Sequence, residues 1–158
     1  MHLAEVNIAR MQAPLDSATM KEFRDFIDPI NALAESSPGF VWRYTEGAAE
    51  QEVAEDPTFG DNKIVVNLSV WESVEALKEF TYHTVHSYFV RKRKRWFHGL
   101  GHPHLACWWV APGTEPTLME AKRRLELLER LGPTPEAFTL AEVRGREEGG
   151  RPGFDPLR

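Results

Sequence analysis

Apolar and polar residues alternate along four short stretches of the chain, and a period of two residues is typical of a β-strand with two different faces. These stretches are Leu3–Met11, Phe40–Gly47, Lys63–Trp71 and Leu105–Ala111. A fifth stretch, Ala137–Val143, predicts at most one further short strand.

Between and after these strands, the apolar residues recur every three or four positions, which predicts helices. The predicted helices run from about Ser17 to Glu35, Ser73 to Phe97 and Leu118 to Leu131. The resulting order is β-α-β-β-α-β followed by an extra C-terminal helix. It predicts a ferredoxin-like α+β domain over residues 1–143, in which an antiparallel sheet carries helices on one face. Residues 144–158 are rich in Gly, Pro, Arg and Glu and predict a flexible tail.

The alternation also predicts two unlike sheet faces. One face is apolar, with Ala4, Val6 and Ile8 in the first strand and Ile64, Val66, Leu68 and Val70 in the third. We expect this face to pack under the helices. The opposite face carries Glu5, Asn7, Asn67, Ser69 and Trp71; the second strand adds either Arg43 or the pair Trp42 and Tyr44, and the fourth adds Trp108 or Trp109.

A sheet face so rich in aromatic residues should be covered, most simply by the same face of a second copy. This predicts a homodimer with a cavity between its two sheets that suits a small organic ligand. The alternative is that Asn7, Asn67 and Ser69 only form hydrogen bonds across the dimer interface.

Composition narrows the class of protein. A chain of 158 residues fits one domain, and its net charge of −5 argues against general binding to nucleic acid or anionic membranes. Its single cysteine, Cys107, allows no internal disulfide and favours a reducing compartment. The N-terminus lacks the pattern of a secretion signal, and no stretch of 18 apolar residues occurs, so the sequence predicts a cytoplasmic protein.

Five of the six histidines fall between Phe80 and His104. His83 and His86 are three residues apart on one helical face, a spacing that two metal ligands can have, but no supporting Cys, Asp or Glu motif accompanies them. The sequence therefore predicts no metal site. His98, His102 and His104 are expected on a loop, exposed to solvent or joined to a partner subunit's site. The run RKRKR at residues 91–95 predicts a solvated helix end.

Three blocks of sequence resemble a known family. "DPINALAESSPGFVWR", "NLSVWESVEALKEFTYHTVH" and "PHLACWWVAPG" are similar to a bacterial family of unannotated function, the domain-of-unknown-function family 3291. The similarity runs from about His2 to Phe138. That family resembles the dimeric α/β-barrel superfamily, which includes antibiotic-biosynthesis monooxygenases, heme-degrading enzymes and many binding-only proteins. The resemblance implies a homodimer built from face-to-face sheets.

The heme-degrading relatives carry an Asn in the first strand, a Trp on the helix after the "VW-x-S" turn and a heme-ligating His about ten residues later. By ungapped counting from Trp71, Asn7 matches the Asn, Phe80 stands at the Trp position and Val90 at the His position. His86 could be the ligand if the helix is realigned by one turn.

The sequence thus leaves three functions open. The first is a dimeric α/β-barrel protein that binds a small aromatic or apolar molecule and acts as a monooxygenase-like oxidoreductase; the second is a non-catalytic ligand-binding or interaction module. The third is a heme-binding protein, so the cofactor is either none or heme. The candidate catalytic residues are His86, His83 and Asn7, and the candidate ligand-binding residues are Glu5, Arg43, Asn67, Ser69, Trp71 and Trp108.

Overall fold

A computed structural model describes residues 1–45, 57–59, 63–83 and 86–142 of the chain, with the backbone alone for residue 57 and residues 86–90. The predicted tail, residues 144–158, lies outside these ranges, as does most of the polar stretch 48–63.

The strands and helices follow the predicted order. The strands are β1 (His2–Met11), β2 (Phe40–Arg43), β3 (Ile64–Trp71), β4 (Phe97–His98) and β5 (Leu105–Val110). The helices are α1 (Lys21–Ser36), α2 (Val74–His83), α3 (His86–Trp96) and α4 (Leu118–Leu131), with a 3₁₀ turn at Pro57–Phe59.

The five strands form one antiparallel sheet with β1 in its middle. On one side β1 pairs with β3, and β3 pairs with the edge strand β2. On its other side β1 pairs with β5 and, near its C-terminal end, with the two-residue β4. With β5 as the fourth strand of the predicted plan, this is the ferredoxin-like order, so the α+β prediction is confirmed.

Two elements differ in detail from their prediction. The stretch Ser73–Phe97 contains two described helices, α2 and α3, and Phe97 already pairs with β1. In the stretch Ala137–Val143 the described residues form only two isolated bridges, in which Phe138 pairs with Cys107 at the outer side of β5 and Ala137 pairs with Thr134. Pro29 lies inside α1, which runs continuously past it.

Helix α4 covers the face that the sequence marks as apolar. We call this the α4 face; its buried strand residues are Ala4, Val6, Ile8, Ile64, Leu68, Val70, Ala106, Trp108 and Val110. They pack against Leu118, Ala121, Leu125 and Leu128, the predicted apolar stripe of α4. The helix begins at Thr117, whose hydroxyl accepts a hydrogen bond from the Glu120 N–H at 3.1 Å.

Helices α1, α2 and α3 contribute to two apolar clusters on the opposite face, which we call the α1–α3 face. One cluster joins Leu3 and Trp71 to α1 and α2, and the other joins Met11 to Phe23 of α1 and Trp96 of α3. The prediction that the apolar face would lie under the ferredoxin-type helices is therefore wrong. Those helices pack on the mixed face, and the extra C-terminal helix takes the apolar one.

Among the described residues, no helix has the length and the hydropathy needed to cross a lipid bilayer.

Candidate acid–base site on the α1–α3 face

Four polar side chains of the α1–α3 face belong to neither apolar cluster. They come from the middle of β1 and β3, where Glu5 is directly opposite Ser69 and Asn7 directly opposite Asn67. Alternation places them on this face, because residues two apart along a strand point to the same side. The antiparallel register then brings the two pairs together as one polar group at the centre of the sheet.

A hydrogen-bond chain connects three of these residues with Trp71. The Trp71 indole N–H donates to Ser69 Oγ at 3.0 Å, and the Ser69 hydroxyl donates to Glu5 Oε2 at 3.3 Å. From the other side, Asn7 Nδ2 donates to Glu5 Oε1 at 3.0 Å. Each carboxyl oxygen of Glu5 therefore has one donor, which fixes the orientation of the carboxyl group.

This polar group runs from the core outward to solvent. Glu5 is 4% exposed, Ser69 6% and Trp71 1%, whereas Asn7 is half-buried and Asn67 is exposed. The carboxyl group of Glu5 is thus in the protein interior, and the exposure of these polar side chains increases from Glu5 through Asn7 to Asn67.

Burial raises the pKa of Glu5 from 4.5 to about 7, because the charged carboxylate loses its hydration in the interior. The hydrogen bonds from Asn7 and Ser69 lower the pKa, and they offset only part of this effect. A carboxyl group with a pKa near 7 can take up or release a proton at neutral pH, which is the property of a general acid or base.

Cys107 is the neighbour of Glu5 on the other side of β1. The two residues are paired in the β1–β5 register, and Cys107 is fully buried as a free thiol. Burial raises the pKa of Cys107 well above its usual value, and the carboxylates of Glu5 and Glu142 raise it further. The thiol is therefore protonated at neutral pH and packs as a small apolar group.

Two predicted ligand-binding residues are placed apart from this group. Arg43 lies next to Ser69 in the sheet, but its Nε donates to the Glu35 carboxylate of α1 at 2.5 Å, so the guanidinium is engaged in an ion pair. Trp108 is on the α4 face and is 1% exposed. Of the two alternatives in that strand, Trp109 is the one on the α1–α3 face, where it packs against Phe138.

The structure describes the side chain of only one of the two histidine candidates. His83 is exposed at the end of α2, and the side chain of His86 lies outside the described part of the structure. No group of three or more His, Cys, Asp and Glu residues in the described ranges could hold a metal ion.

The position that carries Trp in the heme-degrading relatives is filled by Phe80. Its ring is buried and stacks on Trp71, with 5.2 Å between the ring centroids. A phenyl ring has no N–H to offer a ligand, and Asn7 donates to Glu5. Phe80 and Asn7 therefore do not offer the contacts to heme that the resemblance implies.

The acid–base character of Glu5 is the property that the sequence did not reveal. Glu5 was predicted only as a ligand-binding residue, because a Glu in an alternating strand is usually exposed. One signal was present: its neighbours Leu3, Ala4 and Val6 are all apolar, which indicates a strand buried on both faces.

No curated protein and no solved structure matches the chain. A family model described as "Domain of unknown function (DUF3291)" matches residues 2–151, which is nearly the whole chain, and this protein therefore belongs to the DUF3291 family.

Proposed function

We propose that this protein binds a small, largely apolar or aromatic molecule on the α1–α3 face and that Glu5 exchanges a proton with it. The observation that carries the proposal is the buried carboxyl of Glu5, whose pKa is about 7 and whose two oxygens are held by Asn7 and Ser69. A charged group in the core costs stability, and such costs are concentrated at functional sites.

The surroundings of Glu5 suit the ligand class. The apolar clusters at either end of the face contain the aromatic residues Phe40, Trp71 and Phe80 on one side and Phe23 and Trp96 on the other. Between them the face presents a carboxyl, a hydroxyl and two amides. An apolar surface with a few oriented polar groups is typical of small-molecule sites.

A monooxygenase-like reaction is the finer form of this proposal, and it rests on the resemblance to the dimeric α/β-barrel superfamily. In such a reaction Glu5 would take a proton from an activated CH2 carbon of an aromatic substrate, and the substrate anion would add dioxygen. The peroxide would take the proton back from Glu5, and loss of water would leave a carbonyl group, with the substrate itself as the reductant. Asn7 would orient the substrate, and Asn67 would contact it at the solvent side. The homodimer and a cytoplasmic location belong to the same proposal; the buried free thiol of Cys107 supports a reducing compartment.

Side-chain amide signals in NMR spectra can test the binding site directly. Addition of 1-naphthol, or of a molecule that native mass spectrometry finds bound to the purified protein, should shift the amide signals of Asn7 and Asn67. The amide of Gln12 is the reference, since it is fixed on the carbonyl groups of Lys94 and Phe97 elsewhere in the fold. If the bound compounds leave both Asn signals in place, the ligand site is not here.

Glu5→Gln tests the proton transfer separately. The amide keeps the size of the side chain but cannot titrate in this range, so binding should persist while proton release or uptake on binding disappears. Glu79→Gln, which removes an exposed carboxylate of α2, is the matched control. Proton exchange that persists unchanged in Glu5→Gln would contradict the role of Glu5.

A non-catalytic interaction module is the second candidate, and one observation favours it. Trp71 and Trp108 are each 1% exposed, so these two predicted ligand-binding rings already fill the space around them. In this alternative Glu5 only holds the strands together. Glu5→Gln would then change stability and leave every binding property of the protein intact.

A further inference from the structure

A second cluster of titratable residues lies near the C-terminal end of β1, apart from Glu5. Arg93 of α3, His98 of β4 and His102 and His104 of the following loop surround one cavity of about 330 Å³. The loop is held against β1, where the Ile8 N–H donates to the His104 carbonyl at 2.8 Å, and His98 pairs with Arg10. The cavity is therefore open to solvent and bounded in part by backbone that pairs with the sheet.

The charge of this cavity is opposite to that of the whole protein. The chain has a net charge of −5, yet the described residues that line the cavity include one arginine, three histidines and no Asp or Glu. Ile8, Ala9 and Leu100 supply an apolar wall. Cationic donors beside an apolar wall are complementary to an organic anion.

Arg93 and His104 face each other across the cavity. Arg93 Nη1 is 3.5 Å from His104 Nε2, and because a guanidinium can only donate, the His104 ring must accept with an unprotonated Nε2. His102 Nδ1 is 3.1 Å from the Pro103 carbonyl, which accepts, so Nδ1 carries the proton and Nε2 is left for other contacts. An anion could accept from Arg93 and, once His104 is protonated, from its ring as well.

We propose that this cavity is a binding site for a small organic anion that carries a carboxylate or a phosphate group on a compact apolar body. Arg93 would hold the anionic group, and the wall of Ile8, Ala9 and Leu100 would contact the apolar body. The site is independent of the proposed function of Glu5, which does not line the cavity.

Anion binding at this site is coupled to proton uptake. The pKa of His104 is lowered by its partial burial and by the neighbouring Arg93 and His102. The other titratable side chains among the described lining residues are Arg93, His98 and His102, so none of these residues is a carboxylate that would oppose this effect. A bound anion raises the pKa of His104, so affinity for the anion should increase as the pH falls toward and below 6.5, the ordinary pKa of a histidine.

Calorimetric titration with benzoate and with phenyl phosphate tests the proposal on the full chain. Benzoate keeps its charge over this pH range, so a tighter complex at about pH 6 reports protonation of the protein. Tighter binding of one of the two probes shows whether the site prefers a carboxylate or a phosphate group. Arg93→Gln should weaken binding by roughly tenfold to a hundredfold, as expected for the loss of a charge-assisted hydrogen bond. His104→Gln should have the same affinity for benzoate as the wild type near pH 8, but this affinity should not increase at lower pH.

Lys94→Gln is the matched control, because it removes one positive charge from the neighbouring exposed position of α3 without touching the cavity. Its affinity for both anions should stay within about threefold of the wild type, since the charge is screened by salt. Circular dichroism confirms that each variant is folded. The proposal is overturned if neither anion binds at millimolar concentration, or if Lys94→Gln costs as much affinity as Arg93→Gln.

Discussion

The buried carboxyl of Glu5 should make the stability of the protein depend on pH in an unusual direction. Its pKa is about 7 in the folded chain and 4.5 as its ordinary value, so the folded state binds the extra proton between these limits. The free energy of unfolding therefore falls as the pH rises from about 4.5 to 7. Above pH 7 it is lower than below pH 4.5 by roughly 3 kcal/mol through this group alone. Most carboxylates have the opposite effect, because their pKa is lowered by folding.

Glu5→Gln should remove this dependence, because the amide is uncharged at every pH in the range. Urea unfolding at several pH values between about 4.5 and 8 measures the free energy of unfolding of both proteins. The free energy of unfolding of Glu5→Gln, relative to that of the wild type, should increase as the pH rises, whereas that of Glu79→Gln should follow the wild-type curve. Parallel curves for Glu5→Gln and the wild type would show that the pKa of Glu5 is not raised by folding.

At the scale of single residues, the sequence predicts which side chains share a face but not what their environment does to them. Alternation alone placed Glu5, Asn7, Asn67, Ser69 and Trp71 together, as the structure has them. It could not predict the pKa of Glu5, since that depends on burial by helices distant in sequence. Nor could it predict that Arg43 would be paired with Glu35 of α1.

At the scale of elements, the strand order was predictable and the assignment of faces was not. The even-numbered residues from Ala4 to Ile8 and from Ile64 to Val70 are apolar, which shows that their face is buried but not which helix buries it. The odd-numbered residues are apolar toward the ends of the strands, at Leu3 and Trp71 and at Ala9, Met11 and Val65, and α1, α2 and α3 pack near these ends. A sheet with helices on both faces gives strands that are partly apolar on both sides, so alternation alone cannot assign its layers.

The turn between α1 and β2 shows how closely one of these layers approaches the sheet. Gly39 has a φ of +82°, and a Cβ at this position would lie 2.4 Å from the Cβ of Ala76 in α2. Gly39→Ala should therefore destabilise the fold by about 2–5 kcal/mol, through both the left-handed backbone and the overlap. Thermal unfolding followed by circular dichroism measures the loss.

Gly113→Ala separates the two causes. Gly113 has a φ of +86°, but apart from its chain neighbours no heavy atom of the described residues would lie within 4 Å of an added Cβ, so only the cost of the left-handed backbone applies. Its cost should be about 1–2 kcal/mol. Equal losses in the two variants would mean that α2 moves away from Gly39 freely and that the approach of the two elements is not a constraint.

At the scale of the whole molecule, the aromatic sheet face does not need a second copy to cover it, because helices of the same chain do so. The mixed aromatic face lies under α1, α2 and α3, and α4 packs against β5 on the other face. A partner sheet of the dimeric α/β-barrel kind would have to meet the α4 face beside α4, at β2 and β3. There Trp42 and Val66 remain partly exposed at the border of the core.

The dimer therefore predicts a specific weak point at Trp42. If the partner sheet packs on this border, Trp42→Glu places a charge in an apolar interface, and burial of an unpaired charge costs far more than a dimer contact supplies. The variant should sediment as a monomer in analytical ultracentrifugation at concentrations where the wild type is a dimer, with an unchanged circular dichroism spectrum. Tyr82→Glu is the control, since Tyr82 is a large exposed apolar residue on α2, on the other side of the sheet. A wild-type chain that is monomeric at high concentration would contradict the dimer. A dimer that survives Trp42→Glu and not Tyr82→Glu would place the pairing of the two copies elsewhere than on the α4 face.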